Sequence, residues 1–146
     1  MTVSARLACL VLFAGLAVAG CGERRGPLDP IGEHLGDWVL VNYWAEWCKP
    51  CIHEVPELNK LDGEEGITVL GVNYDGDTGD ALAAQIDALD IAFAQLPADP
   101  APELGIDRPQ VLPTTVVIDP DGRRVATLVG PQTAEILREA MEESGR

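Results

Sequence analysis

The apolar run WVLVNYW at 38–44, followed three residues later by Cys48-Lys49-Pro50-Cys51, constrains this chain more than any other stretch. Bounded by Gly36 and Asp37 and rich in β-branched and aromatic residues, the run reads as a strand buried on both faces. A helix is expected from about Cys48 to Leu61. Pro50 suits its first turn, where a missing N–H costs nothing, and Val55, Leu58 and Leu61 recur at helical spacing. Pro56 falls inside that pattern and is expected to kink the helix. GITVLGVN at 66–73 reads as a second buried strand, so that strand, helix and strand form a right-handed parallel βαβ unit.

Downstream, DTGDALAAQIDALD (77–90) reads as a helix with acids on its wet face, and IAFAQL (91–96) as a short strand. ADPAPELGIDRPQ (98–110) is too rich in proline for more than a single helical turn. TTVVID and RRVATLV flank the tight turn PDG and make a β-hairpin. The chain closes on TAEILREAMEES (133–144), where Thr133 can cap a helix whose Ile136, Leu137 and Ala140 are expected to face inward. The sum is an α/β domain, a central mixed sheet flanked by helices on both faces, which is the thioredoxin fold.

The chain begins with Arg6 after a short polar start, then LACLVLFAGLAVAG, 14 uncharged residues that stop at Cys21. This is the core of a signal peptide and is too short to span a bilayer as a helix. The VAGC that ends it resembles the lipobox of bacterial lipoproteins, in which the cysteine carries lipid and becomes the first mature residue. Residues 1–20 are then signal, 21–35 a tether rich in glycine and proline, and 36–146 the thioredoxin-like domain. Gly22, where an aspartate would favour inner-membrane retention by resemblance to proteobacterial sorting rules, points to the outer membrane. The mature chain of 126 residues is one domain's worth. Its nine basic and 24 acidic residues, net −15, argue against nucleic acid or an anionic bilayer as ligand.

Of the four cysteines, Cys9 leaves with the signal and Cys21 takes the lipid, so Cys48 and Cys51 alone remain for chemistry. A zinc site needs two further ligands, and beyond carboxylates the chain offers His34 and His53, the latter turned away from the sulfurs by a helix. A structural staple closing so short a loop gains little entropy. A reacting dithiol fits the position best. A strand feeding a helix puts Cys48 where first-turn N–H groups and the positive dipole end favour a thiolate, lowering its pKa from about 8.5 toward roughly 3.5–7.5. Cys51, one turn in and expected to be more buried, keeps its proton longer. Cys48 then attacks a substrate disulfide and Cys51 resolves the mixed disulfide. The dithiol is itself the redox group, so no cofactor and no metal is expected.

VNYWAEWCKPC, Pro56, VLPTT (111–115) and Gly130 together resemble the thioredoxin superfamily, and within it the TlpA/ResA-like group of membrane-anchored extracytoplasmic thiol:disulfide reductases. The resemblance implies that Pro113 is a cis-proline beside the cysteines and that the backbone of Leu112 pairs with a bound substrate chain. Trp47 and Pro50 then belong to the surface that meets substrate, Trp47 shielding Cys48 or packing with Trp44. Asn42 stands where cytoplasmic thioredoxins place a buried aspartate. An amide cannot take a proton from Cys51, so Asn42 is expected to support the site by hydrogen bonding. A base, if one is needed, is sought in the loop after the second strand, in Asp75 or Asp77, which are equally suited to turn formation around Gly76.

The chain is thus expected to be a periplasm-facing, lipid-anchored thiol:disulfide oxidoreductase acting as a reductant. Its expected partners are a disulfide-containing extracytoplasmic protein and a membrane electron donor of the thiol-relay type. The rival readings are a disulfide oxidase or isomerase, separated by a potential near about −120 mV rather than about −270 mV, and a copper-handling protein using the reduced pair as soft ligands.

Overall fold

The structure, a computed structural model, describes residues 29–145. The expected signal peptide and the lipid-bearing Cys21 lie outside the described residues. The elements run α1 (Asp29–Gly32), β1 (Trp38–Trp44), α2 (Lys49–Asp62), β2 (Ile67–Asn73), α3 (Gly79–Ala88), β3 (Ala94–Gln95), β4 (Thr114–Ile118), β5 (Arg124–Val129) and α4 (Ala134–Ser144). The sheet has five strands in the order β3-β2-β1-β4-β5. β1 lies at its centre, parallel to β2 and antiparallel to β4, while β2 pairs parallel with β3 and β4 antiparallel with β5. This is the expected mixed sheet, and its central position explains why all but the first residue of β1 are buried.

Alternation along β1 divides the core in two. Leu40 and Trp44 point to one face, where they meet Val55, Leu58 and Leu61 of α2, Leu137 and Met141 of α4, and Leu82 and Ile86 of α3. Val39, Val41 and Tyr43 point to the other, with Leu70, Val72, Val116 and Ile118. That second face is covered by Ile31 of the short α1 and by Leu104 and Ile106 of the irregular segment before β4. The cover is therefore unequal: three long helices on one face, one helical turn and a strap of loop on the other.

The structure differs from the sequence reading at the end of the tether, in the inward face of α4 and in β3, which has two residues rather than the expected run 91–96. The expected tether at 21–35 ends early, because Ile31 is buried in the core and Gly36 N–H bonds to the Pro120 carbonyl at 2.9 Å. In α4 the inward positions are Ala134, Leu137 and Met141, whereas Ile136 is 43% exposed. Thr133 does cap that helix, its side chain accepting from Ile136 N–H. Pro56 sits within α2, which runs unbroken from Lys49 to Asp62. Among the described residues no helix is long and apolar enough to cross a membrane.

Candidate functional site

β1 delivers the chain through Ala45, Glu46 and Trp47 to Cys48, which is the N-cap of α2 with φ −84° and ψ 92°. The extended cap conformation turns its side chain back over the first turn, where the sulfur accepts the Cys51 N–H at 3.2 Å. Pro50 occupies the first turn and is exposed. Cys48 and Cys51 are joined in a disulfide, with Sγ atoms 1.98 Å apart and Cα atoms 5.3 Å apart. Both are buried, at 4% and 2% exposure, so accessibility does not separate them as expected. The cap does separate them, because the N–H that would steady a thiolate is aimed at Cys48.

The Leu112–Pro113 bond is cis. Pro113 is held by the end of the hairpin, its carbonyl accepting Gly130 N–H at 2.9 Å, and the turn before it is closed by Thr114 Oγ1 donating to the Val111 carbonyl at 2.8 Å. Gly130 has φ +91°, a left-handed conformation that glycine adopts without strain. Leu112 packs against the cluster that contains both cysteines. Its own N–H and carbonyl have no hydrogen-bond partner among the described residues.

Trp47 is 64% exposed, so it does not share the core with the buried Trp44. Its indole Nε1–H donates to Asp75 Oδ2 at 2.8 Å, which fixes the ring beside the cysteine pair. Asp77 is engaged elsewhere, accepting from Gln85 Nε2 while its backbone N–H donates to Asn73 Oδ1. The two loop acids thus have local partners of their own. Asn42 is buried, and its amide donates to Glu54 Oε1 at 2.8 Å and to Thr115 Oγ1 at 3.0 Å.

Glu54 is the residue that sequence reasoning missed. It lies on α2 three residues after Cys51, on the same face, at a spacing that puts Cβ atoms about 5–6 Å apart. It is 2% exposed, and its second oxygen accepts the Gln132 N–H at 2.9 Å. Burial raises its pKa to about 7, outweighing the lowering by the Gln132 and Asn42 hydrogen bonds. The signal was available in the sequence, since Glu54 stands inside the stripe Cys51, Val55, Leu58, Leu61, where a charged residue is out of place.

A redox-active dithiol at the start of a helix, set on this sheet beside a cis-proline, defines a thiol:disulfide oxidoreductase of the thioredoxin fold. The chain belongs to the AhpC/TSA family, whose model matches residues 31–125. It is 35% identical over 136 residues to the thiol:disulfide interchange protein HelX of Rhodobacter capsulatus, covering 86% of this chain and 76% of that protein. To the thiol-disulfide oxidoreductase ResA of Bacillus cereus it is 32% identical over 105 residues, covering 70% of this chain and 60% of the relative's length. Among solved structures it is similar to a putative thiol:disulfide interchange protein DsbE from Chlorobium tepidum, with 28% identity and a TM-score of 0.61 over 78% of this chain and 84% of that one.

Proposed function

We propose that the protein reduces disulfides of extracytoplasmic proteins while tethered to a membrane by lipid on Cys21. The observation that carries the reaction is the asymmetry of the dithiol: an N–H aimed at Cys48 on one side, a buried carboxyl with a pKa of about 7 one turn from Cys51 on the other. In the reduced protein the Cys48 thiolate attacks a substrate disulfide, forming a Cys48–substrate disulfide and expelling one substrate thiolate. Cys51 gives its proton to Glu54 and attacks Cys48 Sγ. The second substrate thiolate leaves, and two electrons have passed to the substrate. Glu54 suits this step because a base with a pKa near the working pH is partly ionised and ready to accept a proton. Asp75 is assigned to holding Trp47, and Asp77 to the loop.

The oxidised pair must be reduced again, and a membrane dithiol protein is the chemical class that can do so in an oxidising compartment. Lys49-Pro50, without the histidine that steadies the thiolate in strong oxidants, supports the reductive direction. The test is trapping. Cys51→Ser is expected to accumulate substrate-linked adducts that dithiothreitol releases, whereas Cys48→Ser forms few and reduces nothing; the opposite pattern would reverse the roles. A potential near about −120 mV would instead mark an oxidase. For the anchor, Cys21→Ala is expected to release the protein from membranes, read by fractionation of inner and outer membranes, where Gly22 favours the outer.

A further inference from the structure

A cavity of about 160 Å³ opens beside the cis-proline, lined among others by Ile106, Pro109, Val111, Thr114, Thr127 and Val129. It lies on the thinly covered face of the sheet, the one opposite Glu54, and takes no part in the thiol chemistry described above. One wall is the loop before β4, and that wall is fixed. The Arg108 guanidinium lies 3.9 Å above the Tyr74 ring and pairs with Asp99 at 2.9 Å, while Tyr74 Oη donates to the Pro109 carbonyl at 3.0 Å. The opposite wall is β5, an edge strand. Two of the lining residues are large apolar side chains left exposed, Val111 at 54% and Val129 at 60%, and the similarly exposed Trp47 stands beside Cys48.

We infer that this cavity is a specificity subsite for one apolar side chain of the substrate polypeptide, close to the cysteine under attack. The inference rests on the disulfide-reductase reading. Three observations carry it. Val111, a wall residue, directly precedes Leu112, whose N–H and carbonyl, without a partner among the described residues, offer one rung of β-pairing to an extended chain. A chain pairing there advances about 3.3 Å per residue and turns successive side chains to opposite sides; its cysteine faces the side of Cys48, so the residue next to that cysteine turns to the side of the cavity. The volume suits a branched aliphatic or phenyl side chain, comparable to the roughly 150 Å³ cavity that accepts benzene. Among the described residues the one ionisable side chain in the lining is Asp107, which disfavours an acidic occupant. A second copy of this chain is a poor occupant, since two molecules of net charge −14 repel.

The test uses short peptides with a central cysteine linked to thionitrobenzoate, in which the residue directly before or directly after the cysteine is Gly, Leu, Phe or Asp. Coloured thiolate release by the reduced protein gives the second-order rate. Leu or Phe at one of the two positions is expected to react about tenfold faster than Gly, as an apolar contact of this size gives, and Asp no faster than Gly. Thr127→Phe, a change at an exposed edge position that fills the cavity, is expected to bring the Leu peptide down to the Gly rate; Val129→Asp is expected to do the same by charge. Both variants should reduce bis(2-hydroxyethyl) disulfide, which is uncharged and has no ring or branched group to fill the cavity, at the wild-type rate. Equal rates for Leu and Gly peptides in a protein that reduces the small disulfide overturn the subsite alone. Failure to reduce even the small disulfide overturns the reductase reading and the subsite with it. A concentration-dependent dimer abolished by Thr127→Phe reassigns the cavity to self-association and overturns the inference.

Discussion

Glu54 concentrates the physics of this site in one carboxyl group. It is 2% exposed and flanked by donors, yet burial still wins, because removing an ionised carboxylate from water costs more than two hydrogen bonds return. Its pKa rises from 4.5 to about 7, so between those values the folded protein binds a proton that the unfolded chain does not. Stability from this group is therefore fully present below about pH 4.5 and is lost as pH rises through about 7, by about 3 kcal/mol in all. Glu54→Gln removes the titration and keeps an acceptor for Asn42. The wild type is expected to lose stability relative to the variant by about that amount between pH 4.5 and 8, read from urea midpoints. Kinetically the variant should slow release of reduced substrate by about a hundredfold, the low end for a positioned base, while the alkylation rate of Cys48 stays unchanged. Equal turnover in the two proteins would return the base to the loop acids.

At the scale of elements, α2 organises the site, and most of α2 was legible in the sequence. Pro50, the apolar spacing and the preceding strand placed it to within a residue, and the cysteine pair with it. What could not be read was partnership across the fold. Glu54 and Glu57, one turn apart, accept Gln132 N–H and Ala134 N–H, holding the approach to α4 from positions 78 and 77 residues earlier in the chain. The register of α4 follows from contacts of the same kind. Ile136 and Leu137 are adjacent apolar residues, and periodicity alone cannot choose which points inward. The cap at Thr133, the grip of Glu57 on Ala134 and the Arg138–Glu64 ion pair turn Leu137 and Met141 to the core. The two-residue β3 is a second case, since besides adding the edge strand next to β2 it carries Gln95. Gln95 Oε1 accepts the buried Trp44 indole N–H at 2.8 Å, and it crosses Gly71 of β2 so closely that a Cβ there would sit 2.3 Å from that oxygen. Gly71→Ala is expected to push Gln95 off Trp44 and strand a buried donor, costing about 2 kcal/mol. Gln95→Ala should cost about the same, and the double variant little more than either, a coupling that denaturant titration of all four proteins measures.

On the scale of the whole molecule, the active-site end and the rest of the surface have opposite characters. The chain carries 24 acidic against 10 basic residues, a net −14, whereas Trp47, Val111 and Val129 present apolar surface around the cysteine pair and the cis-proline. An apolar face cannot attract a partner from a distance, so encounter is governed by the field and capture by contact. The charges flanking Cys48 in sequence nearly cancel, Glu46 against Lys49, which leaves Asp75 beside Trp47 and the summed field of the domain, both negative, to set the approach. A cationic disulfide such as cystamine should then be reduced faster than anionic oxidised glutathione, by about tenfold at roughly 0.01 M ionic strength, after each rate is divided by that with dithiothreitol to remove intrinsic reactivity. At about 1 M salt the Debye length falls from about 30 Å to about 3 Å, and the ratio should approach one. Stopped-flow rates across that salt series check the expectation. A ratio that ignores salt would mean that Cys48 feels only Glu46 and Lys49, and that acidity serves solubility rather than choice of substrate. A ratio that collapses would mean that the protein selects cationic chains at long range and sorts them by contact at the apolar end.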